Sequence, residues 1–365
     1  MSYTRRDFGK IALTAVPLAR LYANINSKFD GVQIGAITYS FRSIPDAETI
    51  IKDMAEVGLG EAELMSNHCE SLAGMPAMPS FGRGGGGGGR GRGAGFAAAA
   101  PGAPAAAPGA PTAAGAQTPP PQAAGADAGA GRRGGGGGRA PLTPEQQAQM
   151  DQAQAAVAKW RAATTADTWK AVRKKFNSAG IEVALLCYNM NDRMKDEDIE
   201  YGFQMAKGLG VKAMSTSTTL TMAKRIAPIA DTHKLMVGYH GHDATNDPNQ
   251  TATLDSYATL MAYGKYNGVN LDIGHFTTAN YDAVAFIKEH HDKITNLHLK
   301  DRKKGHGDNL PWGQGETPIK EVLQLLKKEK YGFPANIELE YQIPEGSTVV
   351  AEMKKCLQYC KDALA

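Results

Sequence analysis

The stretch "LMVGYHGHD" (235–243) ends an apolar run on two imidazoles two residues apart, His240 and His242. Side chains two apart on a strand share a face, so both rings point the same way, together with Met236 and Gly238. Three later apolar runs end in the same manner. "NLDIGHF" delivers Asp272, "NLHLKD" delivers His298, and "NIELEY" delivers Glu338 and Glu340. Counting back by twos puts Asn270 below Asp272, Asn296 below His298 and Asn336 below Glu338, while Leu271, Leu297 and Leu339 take the opposite face. An inward set this polar has no stability rationale by itself, because buried charge is costly unless it is paired or bound to an ion. Mixed nitrogen and oxygen ligation suits manganese, zinc, cobalt or iron better than calcium, and magnesium completes the set of candidate divalent metals.

These residues need strands that bring their ends together, and the chain supplies a regular alternation. Short apolar runs at 31–41, 60–66, 181–189, 211–218, 234–242, 268–275, 294–301 and 335–341 read as eight strands, each followed by an amphipathic stretch. "DAETIIKDMAEVG", closed by Gly58, is one such helix, and "TPEQQAQMDQAQAAVAKWRAATTADTWKAVRKKFNSAG" gives one or two more, ending at Gly180. Alternation of this kind predicts an α/β protein with a parallel sheet closed by right-handed crossovers, a (β/α)8 TIM barrel. Such barrels carry their chemistry at the C-terminal ends of the strands, where the imidazoles and carboxylates fall.

Two regions stand apart from the barrel. Residues 73–141 hold much of the chain's 42 glycines and 19 prolines and almost no branched apolar residue. The stretch cannot bury enough surface to offset its ordering entropy, and it reads as a disordered Gly/Ala/Pro-rich insertion between strand 2 and helix 2. Aromatic residues for base stacking are nearly absent from it, so its arginines read as part of a passive tether and not as an RNA-binding tail. At the N-terminus (1–24), "TRRDFGK" followed by "IALTAVPLA" resembles a twin-arginine export signal, which implies the Tat machinery as a partner and a periplasmic destination. Pro17 and Arg20 interrupt the apolar run, which argues against stable membrane insertion beyond association before signal cleavage. Residues 25–365 then form a single interrupted barrel. The formal charge of +3 gives no case for nucleic acid, and the spacing of the four cysteines is neither a zinc knuckle nor a redox pair.

"GYHGHD", "LDIGH", "HLKD" and "IELEY", in that order, resemble the sugar phosphate isomerase/epimerase family, the xylose-isomerase-like barrels that include ketose 3-epimerases and inosose dehydratase. "IGAITYSFR" and "AELMS" match the opening strands more loosely. The resemblance implies one metal ligand from each of strands five to eight: His240, Asp272, His298 and Glu340, with Glu338 as the other choice on strand eight. Where the family usually has a glutamate on strand five, this chain has His240, as in a branch whose motif resembles "YHNHDFEF". That replacement removes one of two facing glutamates that serve family epimerases. A polarised carbonyl and a single base remain, suited to isomerisation, epimerisation or β-elimination.

Candidates for acid–base work are Glu338, His242, His275 and Lys300. His275 matches the family's substrate-contacting histidine in the D-x-x-H pattern. Lys300, inward by the same parity as His298, either stabilises oxyanion charge or pairs with a carboxylate such as Glu63. His242 either moves a proton or orients its neighbour. Glu63, placed at the rim, and Trp312, in "LPWGQGETP", join His275 and Lys300 as expected substrate contacts. The expected activity is metal-dependent proton transfer next to a carbonyl of a carbohydrate or polyol. Rival readings are a non-catalytic sugar-binding barrel and a metal-dependent endonuclease of the same fold; the oligomeric state stays open.

Overall fold

The computed structural model describes residues 24–81 and 142–365. Residues 1–23 of the export-type segment (1–24) and most of the low-complexity stretch, 82–141, lie outside the described residues. Eight parallel strands close on themselves: β1 (Val32–Ile37), β2 (Glu61–Met65), β3 (Glu182–Cys187), β4 (Ala213–Thr216), β5 (Met236–His240), β6 (Asn267–Asp272), β7 (Ile294–Leu299) and β8 (Ala335–Ile337), with β8 pairing back to β1. Each strand is followed by helix, as the alternation predicts, so the chain is a (β/α)8 barrel.

The helices are α1 (Ala47–Val57), α2 (Ser66–Leu72), α3 (Pro144–Ala163), α4 (Ala166–Ser178), α5 (Asp196–Leu209), α6 (Leu220–His233), α7 (Leu254–Ala262), α8 (Ile273–Thr278), α9 (Ala283–His290), α10 (Ile319–Glu329) and α11 (Val349–Leu364). Their ends follow local chemistry. Asp46 caps α1 by accepting from the backbone N–H groups of Glu48 and Thr49, and Gly58, at φ 92°, closes it in the left-handed region. The main core fills the space between strands and helices, where Ile319, Val322, Leu323 and Leu326 of α10 are buried. Among the described residues no helix is long and apolar enough to cross a membrane.

Several expected boundaries shift. The first strand, expected over 31–41, ends at Ile37 and turns into a 3-10 helix, Thr38–Phe41. There Ser40 Oγ donates to Ile337 O (3.0 Å) and accepts from Leu339 N (3.0 Å), so the turn continues the bonding at the end of β8. The sixth strand ends at Asp272, whose side chain accepts from His275 N (2.7 Å) and starts α8, so His275 sits on a helix. The short helix α2 separates β2 from the low-complexity stretch. Periodicity smeared these boundaries because a capping or turn residue at a strand end still counts as part of the alternating run.

Candidate metal centre and active site

The register of the sheet sets the height of each inward side chain. His240 stands opposite Asn270, Asp272 opposite His298, and His298 opposite Asn336. Moving round the barrel, the donor position therefore climbs two residues between β5 and β6 and again between β7 and β8, as the shear of a closed barrel demands. One donor atom from each of His240, Asp272, His298 and Glu338 lies within 4.8 Å of the other three. All four residues are buried. Glu338 N donates to Leu299 O (3.0 Å), which carries the β7–β8 alignment one step past the ladder and seats the Glu338 carboxylate in the group.

His240 Nδ1 is buried without a hydrogen-bond partner, while the other atoms crowd on one another and on a single lysine: His298 Nδ1 lies 3.0 Å from Glu338 Oε2, and Lys300 Nζ approaches both Asp272 Oδ2 and Glu338 Oε2. Two carboxylates and two imidazoles gathered in a dry interior are costly unless a cation shares their charge. Two nitrogens and two carboxylate oxygens from four consecutive strands fit a divalent cation of the transition series.

Beneath the donors lies a polar layer centred on Glu63, which is 0 % exposed. Its Oε2 accepts from Asn296 Nδ2 (2.8 Å), Asn336 Nδ2 (3.1 Å) and His298 Nε2 (2.7 Å), and its Oε1 from Ser215 Oγ and Asn270 Nδ2 (3.4 Å). An ionised carboxylate only accepts, so His298 presents Nε2–H to Glu63 and turns Nδ1 towards the donor group. Glu63, expected at the rim against substrate hydroxyls, is thus committed inside the barrel. The β-bulge where β2 passes from Ala62 to Glu63 against β3 occurs at the same position.

The charges are strongly coupled. Burial opposes the charged form of His298, but the Glu63 and Glu338 carboxylates on its two sides prevail and raise its pKa well above the ordinary imidazole value. For His240, burial and the neighbouring His298 and His242 rings lower it well below that value, so His240 is a neutral donor. Burial works against the Glu338 carboxylate as well, yet Lys300 and His298 hold it far on the ionised side.

Above the donors stands Lys300, 2 % exposed. Its Nζ lies 2.8 Å from Asp272 Oδ2, 2.9 Å from Glu338 Oε2 and 2.5 Å from Glu340 Oε2. Gly274 is required here, because a Cβ at that position would stand 2.3 Å from Lys300 Cγ. Lys300 therefore meets carboxylates of β6 and of the chain just past β8, and not Glu63. Glu340, expected as the strand-eight ligand, is outside the donor group and faces the lysine instead. Alternation permitted both Glu338 and Glu340; the stagger of β8 selects the lower one.

The remaining expected residues surround this centre. His242 stacks edge-on to His240 with ring centroids 4.8 Å apart, and His275 stands 5.2 Å from His242. Arg302 Nη1 lies 2.6 Å from His275 Nδ1. A guanidinium only donates, so that nitrogen accepts and the His275 ring carries its hydrogen on Nε2. Trp312 packs edge-on against Tyr359 of α11, with ring centroids 5.7 Å apart.

Sequence reasoning missed three residues that hold the rim together. Arg302 also donates to Gly307 O through Nε (3.1 Å) and Nη2 (2.8 Å) and pairs with Asp243 (3.3 Å). Asp301 accepts from the backbone N–H groups of Gly313, Gly315 and Thr317 and fixes the loop that carries Trp312. Both follow His298 within "HLKDR", and the paired glycines of "WGQG" were the only trace of a carboxylate-bound loop in the sequence.

A profile of the family described as xylose isomerase-like TIM barrel matches residues 148–360, more than half of the chain. No curated protein matches the sequence. Among solved structures, a xylose isomerase domain containing protein from Salmonella typhimurium superposes with a TM-score of 0.52 at 10 % identity, covering 93 % of this chain and 98 % of its own. The probable 3-DHS dehydratase from Bacillus anthracis gives 0.51 at 13 %, covering 90 % and 98 %. A sugar phosphate isomerase/epimerase from Parabacteroides distasonis gives 0.50 at 13 %, covering 90 % and 93 %. At these identities the likeness is one of fold.

Proposed function

The chain belongs to the xylose isomerase-like TIM barrels, and from that premise we propose that it is a divalent-metal-dependent enzyme that moves a proton next to a carbonyl on a carbohydrate or related polyol. The observation that carries the reading is the convergence of four buried nitrogen and oxygen donors, one from each of the consecutive strand ends of β5 to β8, within 4.8 Å of one another. His240, Asp272, His298 and Glu338 would hold the ion. When bound, it would supply Lewis acidity at a substrate oxygen and so acidify the neighbouring C–H.

The protein's own groups suit the remaining tasks. His275, fixed as the Nε2–H tautomer by Arg302, offers a hydrogen-bond donor to a substrate oxygen. Lys300 carries a buried ammonium where negative charge on oxygen would develop. His242, stacked beside His240 just past the end of β5, is the proposed proton carrier at carbon, because Glu338 is taken up by the donor group. Isomerisation, epimerisation and elimination of a β-substituent share this first proton transfer. The export-type segment at 1–24 supports a periplasmic site of action and hence an unphosphorylated substrate.

The test is incubation of manganese-loaded protein with aldoses, ketoses and keto-glycosides in deuterated water. Deuterium appearing on the carbon beside a carbonyl, and absent with His298→Ala, is the expected result. Failure to exchange with any compound, in protein shown to hold its metal, overturns the proton-transfer reading and favours a sugar-binding barrel.

A further inference from the structure

The reading of the donor group as a cation centre raises a question that the group itself does not answer, and the inference here rests on that reading. Two of the four donor atoms, Asp272 Oδ2 and Glu338 Oε2, are also the two oxygens that the Lys300 ammonium approaches at 2.8 and 2.9 Å. An ammonium and a divalent ion on the same two oxygens are like charges a few ångströms apart. In a buried site that repulsion is several-fold stronger than in water. Nor can the lysine simply leave, because its stem is enclosed: Lys300 is 2 % exposed, and there is no room for even a Cβ at Gly274 beside its Cγ and Cδ.

A third carboxylate resolves the conflict. Glu340 lies beyond the donor group, and its Oε2 is 2.5 Å from the same Nζ, closer than either donor oxygen. We propose that Glu340 is a positioning residue for cation capture: it holds the Lys300 ammonium and so leaves Asp272 Oδ2 and Glu338 Oε2 to the metal. Two inward glutamates follow one another on one strand end because they serve different cations. Glu338 faces the metal and Glu340 faces the lysine. The alternation "ELE" that left the ligand ambiguous is thus a division of labour. A charge pair of this kind also keeps a positive group beside the metal without letting it compete for the ligands.

The arrangement gives signs that neither a plain ligand nor a plain structural residue would give. Manganese affinity is measured by calorimetry, with no substrate present, on wild type, Glu340→Gln, Lys300→Met and the double variant, with metal-free thermal unfolding as the control for folding. Glu340→Gln is expected to weaken manganese binding about tenfold or more, by returning the ammonium to the donor oxygens. Lys300→Met is expected to tighten it, and in that background Glu340→Gln should change affinity by no more than about threefold. Lys300→Gln serves as the second neutral variant should the methionine disturb folding.

Equal weakening by Glu340→Gln in both backgrounds would make Glu340 a ligand or a simple field charge and overturn the proposal. Weaker binding in both Lys300 variants would overturn it too. A wild-type protein that takes up neither manganese, cobalt nor zinc gives a different pattern, one that removes the cation centre itself and this inference with it.

Discussion

The interior of the barrel is built in two ways. On β3, β4 and the start of β5, the register neighbours Leu185, Ala213 and Met236 form a small apolar cluster with Ala184, separate from the main core. Across the barrel, β2, β6, β7 and β8 fill the same kind of space with Glu63, Asn270, Asn296 and Asn336, all essentially unexposed. The apolar side needs nothing but shape. The polar side stands only because every amide and the histidine above it find the Glu63 carboxylate. Donor atoms can be held in a dry interior when the layer below them is itself bonded, whereas a greasy plug would fix height without fixing ring orientation.

The sharpest way to break the comparison is at the top of the polar side. His298→Ala is expected to abolish stoichiometric manganese binding and lower proton exchange by at least about a thousandfold, since Lewis acidity and the ring anchored on Glu63 are lost together. Metal analysis beside the deuterium assay checks it. Leu185→Ala probes the other side. It should cost about 2–5 kcal/mol of stability through the cavity it leaves, read by denaturant unfolding, with manganese affinity unchanged within about threefold.

The floor of the polar side titrates. Burial lifts the Glu61 carboxyl to about 8, with Lys212 opposing and Glu182 and Glu63 adding to the rise. A carboxyl whose folded pKa is raised favours the fold while protonated, so its contribution is complete below the unfolded value and is lost as pH climbs through about 4.5 to 8. Glu61→Gln should remove this slope. Wild type is expected to lose a few kcal/mol between pH 5 and pH 8 that the variant keeps, as measured by unfolding at both pH values. The smallest effect belongs to the middle layer. Glu63→Gln places an amide among five donors and should weaken manganese binding about tenfold to a hundredfold while His298 remains present. Unchanged affinity there would mean that orientation from below is unnecessary and that the two sides differ only in composition.

Much of this was legible in order of residues alone. Eight apolar runs with helices between them fixed a closed parallel barrel, and period-two alternation put His240, Asp272, His298 and the asparagines inside. Residues that act through local spacing, such as the Asp272 cap of α8, were visible as motifs but not as roles. Residues that act by reaching sideways were not visible. Asp243 meets Arg302, and through it Gly307, only because the loops after β5 and β7 converge at one rim. Trp312 turns towards Tyr359 because Asp301 gathers the loop's backbone N–H groups.

The sequence by itself therefore determined the fold, the face each strand residue takes and the kinds of donor available at the strand ends, because all three follow from repeat lengths of two and 3.6 and from side-chain chemistry. It did not determine depth. Whether Glu338 or Glu340 joins the donors, and whether Glu63 sits at the rim or under it, depends on how far each strand is staggered against its neighbours when the sheet closes. That stagger is a property of the whole ring, set by packing and hydrogen bonds between segments up to about three hundred residues apart, and only the tertiary structure decides it.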